Sequence, residues 1–518
     1  MTTYYVGITI GPIIETLLLA SRPASLWCAS AMFSWLSEDI CNRALRIGGD
    51  IISPYYPNEK SLEHYSVVSE VVGKYHDRII FKLDAENIDT LKVRIADLIE
   101  DSKEALADEL VSEQLAEKSG VPKDELEDVL KKYLQIHYII EEKSDDSVKN
   151  CILRLSPYLD AAELCPTFKV NQTIQPIATL FEGKDDEHHN NLVKLCFEIE
   201  NGNTSVFDKN KKVRDIESIA NSDTSSDRKI FNYYAVVQAD GDSMGRLLSS
   251  LDSDEKVKKF SKQCLNYTTA AAQKIVGFGG MTIYAGGDDL LFISPLENQQ
   301  GKTVFELCTE IGKTFAETFE DSGVTLSFGI SVNYKHFPLY EAFKDALHML
   351  ETAKSVKTDD EVKNKTAIHI RKASGQSVKF RFTNQGVIYK NLLTLLENQV
   401  DSIVLNSILY KIGLYCPILA AALSSGQNME ETFKNLFDSE YHNTVEKFIT
   451  SVQKALVDIY TAVKGSSTKD YALEKMFEKH INSDEETAID LLYSILRTAR
   501  FFREKRGVEK WIRKRISI

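Results

Sequence analysis

The stretch "MTIYAGGDDLLFIS", residues 281–294, decides how the rest of the chain is read. "MTIYA" and "LLFIS" are short runs of β-branched, aromatic and large apolar residues, which predict two strands. Between them Gly286 and Gly287 supply the positive φ that tight hairpin turns need. Asp288 and Asp289 therefore stand at the start of the second strand of a β-hairpin. Taken alone, the hairpin is also compatible with a solvated acidic turn.

A second stretch separates those readings. "YYAVVQADGDSMGRLL", residues 233–248, is an apolar strand ending in Asp240-Gly241-Asp242 and followed by a helical pattern. Two strand ends carrying acids suit a hard divalent cation, which takes few protein carboxylates and completes its shell with water and substrate phosphates. Without a cation the acids repel each other.

The intervening pattern gives a helix over 253–277 with Ser253 as cap and Gly277 as stop, and an amphipathic helix over 302–319. A strand over 324–332, a helix over 338–354 opened by Pro338, and a last strand over 365–370 follow. The order β-α-ββ-α-β-α-β is that of a ferredoxin-like sheet, which sets the first strand beside the hairpin and Asp240 near Asp288.

"ADGDSMG", "YAGGDDLL", "SFGISV" and "ALHMLETAK" together resemble the palm of the large, polymerase-like subunit of type III CRISPR effector complexes and, more distantly, the GGDEF diguanylate cyclases. "YYVGITIGPIIETLLLASRPASLWCASAMFSWL" is similar to the opening of that subunit in the Cmr (III-B) branch. The resemblance implies an α+β fold of two ferredoxin-like palm domains, nucleotidyl-cyclase-like, with an all-helical C-terminal domain. It implies that Asp240, Asp288 and Asp289 bind Mg²⁺ or Mn²⁺, and that Asp288 and Asp289 are catalytic, the latter as a ligand or a group acting on the attacking 3′-hydroxyl. Gly241, Gly286 and Gly287 then let backbone approach the nucleotide, and Lys354 meets the triphosphate. ATP is the implied substrate, with cyclic oligoadenylate as product or S-adenosylmethionine as an alternative acceptor. The implied partners are the other subunits of a type III complex, guide RNA and target RNA. The physical case is independent of family: phosphoryl transfer rests mainly on positioning and cationic stabilisation. A non-catalytic scaffold subunit is weighed against by the intact acids. A stand-alone dinucleotide cyclase has no need of a first palm and a helical tail.

The N-terminal segment echoes the plan. "YYVGITIGP" (4–12) parallels "YYAVVQADGD", and "RIGGDIISPYY" (46–56) parallels "YAGGDDLLF". Thr9 and Gly11 stand where carboxylates would be, leaving Asp50. By resemblance this degenerate palm orients a second nucleotide, with Ser30 and Phe33 as pocket candidates; a core helix face is the alternative.

The expected domains are a first palm with a helical insertion over 1–165, a small intervening segment over 166–230, the GGDD palm over 231–383 and a helical domain over 384–518. A net charge of −14 argues against a dedicated nucleic-acid coat. We expect no signal peptide or membrane span and a cytoplasmic location, the eight cysteines having no C-x-x-C pair. Cys151, Cys165 and Cys196 are too far apart for a zinc ribbon. The family's HD nuclease domain is expected to be missing, with His76-Asp77 a chance dipeptide and His188-His189 part of a solvated loop. Residues 497–518 are locally basic with interleaved aromatics, a candidate contact for RNA phosphates or an acidic partner, or else a solvated helix face.

Overall fold

The computed structural model describes residues 1–56, 75–111, 116–117, 120–143, 150–164, 206, 213–221, 228–320, 322–355, 363–397, 402–426, 429–437, 443–465, 471–472 and 483–504. The N-terminal palm runs β1 (Thr2–Gly11), α1 (Ile13–Leu19), α2 (Pro23–Arg46), β2 (Asp50–Ser53), β3 (Arg78–Ala85), α3 (Ile88–Leu110), α4 (Lys123–Tyr133) and β4 (Gln135–Glu142). Its antiparallel sheet has the ferredoxin-like order β2-β3-β1-β4. Pro23 starts α2 with its preset φ, and Asn87 caps α3 by accepting the Thr90 N–H. Alternation along β1 sends Val6, Ile8 and Ile10 into a core with Trp27, Leu36, Leu91 and Ile95. Tyr5, on the other face, packs with Leu155 and Leu159 of α5 (Cys151–Glu163). The helical insertion expected in the first palm buries Leu106, Leu110, Leu126 and Leu130.

After α6 (Ile216–Ala220) the second palm runs β5 (Tyr233–Asp242), α7 (Met244–Ser249), α8 (Asp254–Phe278), β6 (Met281–Gly286), β7 (Asp289–Pro295), α9 (Val304–Thr318), β8 (Thr325–Tyr334), α10 (Leu339–Lys354), β9 (Lys365–Arg371) and β10 (Ser377–Thr383). The helix α8 passes through Gly277 and stops at Gly279, whose φ of 98° is the left-handed cap. A capping box between Thr303 and Glu306 starts α9. With a short strand β11 (Tyr471–Ala472), the sheet order is β11-β10-β9-β8-β5-β7-β6, with β8 and β9 parallel. Its extra edge differs from the sequence expectation: β10 follows β9 as a hairpin, and β11 pairs on β10 from within the helical region.

The C-terminal part is α11 (Val387–Glu397), α12 (Ser402–Ser425), α13 (Met429–Phe437), α14 (Asn443–Gly465) and α15 (Asp484–Arg503). One helix segment among the described residues, Val404–Ser425, is long and apolar enough to cross a bilayer; its inner face, Leu405, Ile408, Ile412 and Leu419, is buried in the core. The helix α15 lies across α12 and α14. The two palms share one core: Tyr234, Val236, Met281, Ile283, Leu291 and Ile293 from the second sheet pack in the same cluster as Trp27 and Met32 of α2.

Candidate active site

Register brings the two acid-bearing strand ends together. Ala239 of β5 lies opposite Leu290 of β7, so one further residue places Asp240 across from Asp289. Gly286 pairs with Asp289, and Gly287 turns the chain with φ of 65°. Strand alternation then separates the two aspartates of the hairpin. Leu291 and Ile293 belong to the core shared with the first palm, so Asp289, two residues earlier, faces the same way. Tyr234 and Val236 set the same face for Asp240. Asp288 turns to the opposite side, where its carboxylate accepts the Gly241 N–H and feels burial near Cys264 and Tyr267 of α8. A Cβ on Gly241 would sit 2.6 Å from Asp288 Oδ2, so this crossing needs glycine.

Lys354 ends α10 and reaches the same spot. Its Nζ donates to Asp240 Oδ2 and, at 2.9 Å, to the Gly241 carbonyl. An ammonium held between a carboxylate and a carbonyl oxygen marks a position that takes a cation. Burial, with the Lys363 charge adding, pushes Lys354 down to about 8. Burial pushes Asp288 up to about 6, with the Gly241 N–H opposing. Asp289 rises well above the carboxylate range through burial, and the neighbouring Asp288 and Asp77 charges add to it. The donor set of Asp240, Asp289 and the Gly241 carbonyl is all oxygen and suits Mg²⁺, which leaves further positions to phosphate and water. Among the described residues no group of three or more His, Cys, Asp or Glu side chains is placed to hold a metal.

The first palm contributes a residue that sequence reading dismissed. Asp77 stands just before β3, as Asp288 stands just before β7. Its carbonyl accepts the Ile10 N–H at 3.0 Å, and the preceding His76 carbonyl accepts the Ser37 hydroxyl at 2.8 Å. So anchored, the Asp77 charge acts on Asp289 and on Tyr284 of β6. Burial pushes Asp77 up, with Arg78 opposing. His76 engages both ring nitrogens locally, with Ser53 Oγ at 3.1 Å and the Arg78 N–H at 3.3 Å. The signal was present in sequence: an acid preceding the strand-like "RIIFKL".

Other expectations of the first palm shift. Asp50 opens β2 at the far end of the sheet and pairs with Lys82 at 3.2 Å and with Lys258, so it is no remnant of the hairpin acids. Thr9 donates to Glu163 at 2.6 Å. Ser30 and Phe33 are 3% and 4% exposed; Phe33 lies in the core, and Ser30 Oγ is buried without a hydrogen-bond partner among the described residues. His188-His189, Cys165 and Cys196 lie outside the described residues, as do residues 505–518 of the basic tail. The described part of that tail turns inward: Arg497 donates to the Ser377 carbonyl at 2.6 Å and Arg503 to the Leu396 carbonyl.

Residues 233–366 match the family described as Cas10/Cmr2, second palm domain. The chain is 30% identical over 196 residues to the CRISPR system Cmr subunit Cmr2 of Pyrococcus furiosus, an alignment taking in 32% of this chain and 21% of that protein. The match thus spans about a fifth of the relative's length. Among solved structures, the chain resembles the type III-B Cmr-beta apo state (TM-score 0.55, 11% identity, 96% of this chain and 82% of that one). It also resembles the Csm1-Csm4 cassette in complex with cA4 (TM-score 0.53, 13% identity, 97% and 70%) and with AMPPNP (TM-score 0.52, 13% identity, 88% and 69%). Residues 233–366 are thus similar to a Cas10/Cmr2 second palm, and the fold of the chain is that of two palms with helical additions.

Proposed function

We propose that this protein is the signalling subunit of a cytoplasmic type III CRISPR complex, a nucleotidyltransferase that joins AMP from ATP to an acceptor when target RNA is bound. The observation that carries the reading is the contact of Lys354 with Asp240 and the Gly241 carbonyl, at a strand end whose register sets the backbone of Asp289 across from Asp240. Asp240, Asp289 and the Gly241 carbonyl would hold Mg²⁺, which supplies charge neutralisation at the phosphates and a more acidic acceptor hydroxyl. Lys354 leaves Asp240 for a phosphate oxygen and stabilises charge on the departing pyrophosphate. Gly287, where an added Cβ would meet nothing within 4 Å, leaves the turn open to the nucleotide. The acceptor hydroxyl attacks the α-phosphate, and the bond to pyrophosphate breaks. The match to the Cas10/Cmr2 second palm and the likeness to Csm1 bound to AMPPNP and cA4 support an adenine nucleotide substrate and an adenylate product.

Asp77 favours one acceptor over another. A growing oligoadenylate brings a 5′-triphosphate, which a carboxylate repels. S-adenosylmethionine brings a sulfonium and an ammonium, which a carboxylate attracts. A carboxylate facing Asp289 from the first palm fits the second case. The test is to incubate the assembled complex and target RNA with labelled ATP, with and without S-adenosylmethionine, and to weigh the products. An AMP–S-adenosylmethionine conjugate that falls sharply in Asp77→Asn supports this acceptor. Cyclic oligoadenylate alone rejects it, and no ATP-derived product under either condition rejects the transferase reading.

A further inference from the structure

We propose that Asp242 is a positioning residue whose buried carboxylate fixes the relative placement of Asp240 and Lys354. The inference rests on the reading of that pair as active-site groups. Asp242 is 2% exposed and lies two residues beyond Asp240, on the same face of β5. Its carboxylate collects donors from two other segments. Thr325 Oγ1 and Ser327 Oγ, at the start of β8, each donate at 2.8 Å, and the Asn364 N–H donates at 2.9 Å.

Each partner sits where it matters for the pair. Asp242 ends the strand that carries Asp240. Asn364 lies where the chain returns to β9 after α10, the helix that ends in Lys354. The anchor continues beyond Asn364: the Asn384 side chain donates to Asn364 Oδ1 at 3.1 Å and to the Leu326 carbonyl at 2.9 Å, and Thr366 Oγ1 donates to Asn384 Oδ1 at 2.5 Å.

Backbone strain marks the same network. The non-glycine residues with positive φ among the described residues are Ser243 (63°), Asn364 (55°) and Gln385 (59°). Each is a member of this network or adjoins one: Ser243 follows Asp242, Asn364 donates to it, and Gln385 follows Asn384. Left-handed backbone at non-glycine residues persists where the surroundings over-determine it, and such places concentrate at functional sites. A strand end that needed only stability would be served by apolar residues; a desolvated carboxylate is costly unless several donors meet it. Here three donors from two segments meet it, and the arrangement holds Asp240 and the exit of α10 in register.

The test uses the full chain in its assembled complex. Asp242→Asn keeps the volume but turns an N–H₂ toward a donor. We expect kcat to fall roughly 10- to 100-fold with KM for ATP within about twofold, since the pair acts on charge developing in the transition state. In a Lys354→Met background the same change should cost less than about twofold more, because the two act as a unit. A readout independent of turnover is acetylation of Lys354 by an amine reagent, followed by mass spectrometry. Held on Asp240, Lys354 is protected in the wild type and becomes reactive in Asp242→Asn. Equal labelling, an unchanged kcat, or losses that multiply fully in the double variant would overturn the proposal. Should Asp242→Asn not fold, Thr325→Val removes one donor; a partial rise in Lys354 labelling supports the role and unchanged labelling rejects it. A wild type that makes no nucleotide product defeats the transferase reading, while the labelling still decides the role of Asp242.

Discussion

Asp289 feels the Asp77 charge of the first palm, whereas Asp288 accepts the Gly241 N–H. Neutralising them should therefore have unequal effects. We expect Asp289→Asn to lower kcat by about 1000-fold or more, as loss of a group holding charge in the transition state does. Asp288→Asn should cost only about tenfold, because an amide oxygen still accepts the Gly241 N–H. Steady-state rates with labelled ATP decide it, and equal losses would contradict the assignment of faces. Both variants should stay folded, since each relieves a buried charge that is pushed toward its neutral form. The acids themselves were legible in the sequence, since two glycines before two aspartates between apolar runs leave few alternatives. Their facing was not drawn from it, because it depends on where β7 begins, and a one-residue shift exchanges the faces. Asp77 is hard to read from sequence because Gly48-Gly49-Asp50 has the look of the hairpin turn, although it instead leads into β2.

At the scale of elements, α10 delivers Lys354 only if its last turn is held. Arg381 of β10 does this: fully buried, it donates to the Thr352 carbonyl at 3.1 Å and the Ser355 carbonyl at 2.5 Å. These are carbonyls a helix end leaves without internal partners. Arg381→Met keeps most of the volume and removes the donors. We expect a loss of about 2 kcal/mol in denaturant unfolding and a fall in kcat larger than any rise in KM, since Lys354 loosens. Unchanged kcat would separate the cap from the site. The segment leading into β3 gives a pH signature. Burial pushes His76 down to about 4, so the folded state holds it neutral while the unfolded chain takes up its proton. Stability from this group is complete above the ordinary imidazole range and is lost as pH falls from 6.5 toward 4. His76→Gln should flatten the fall of the urea midpoint across that window, and an unaltered slope would mean the ring is hydrated. Most elements were readable from periodicity. β10 was missed although Val378, Phe380 and Phe382 alternate inward, because short strands flanked by charged residues look like loops until a partner strand is known.

At the scale of the molecule, the two palms were legible as repeated strand patterns, but their mutual packing was not, since it depends on which sheet faces remain uncovered. The second sheet covers its shared face with α2, and a charged cluster pins the edge of that contact. Asp254, the first residue of α8, has a side chain 10% exposed and meets Lys82 of β3 at 3.0 Å, Lys143 at 3.8 Å and the Tyr5 hydroxyl at 3.1 Å. Lys82 also meets Asp50, so removing Asp254 leaves it one exposed partner. Because burial makes a widowed charge costly, Asp254→Ala should destabilise by about 2–4 kcal/mol. The same change should raise KM for the acceptor more than KM for ATP. The acceptor lies between the palms in the proposed function, whereas ATP is held within the second palm. A paired replacement, Asp254→Leu with Lys82→Met, should recover much of the stability, because apolar residues often replace a buried ion pair at little cost. If the acceptor KM recovers with it, packing alone sets the spacing between Asp77 and Asp289. If stability recovers and the acceptor KM does not, the ion pair itself sets that spacing. Thermal unfolding and KM measured on all three variants distinguish these outcomes, and a stable Asp254→Ala with wild-type kinetics would show the cluster to be a solvated edge rather than a pin.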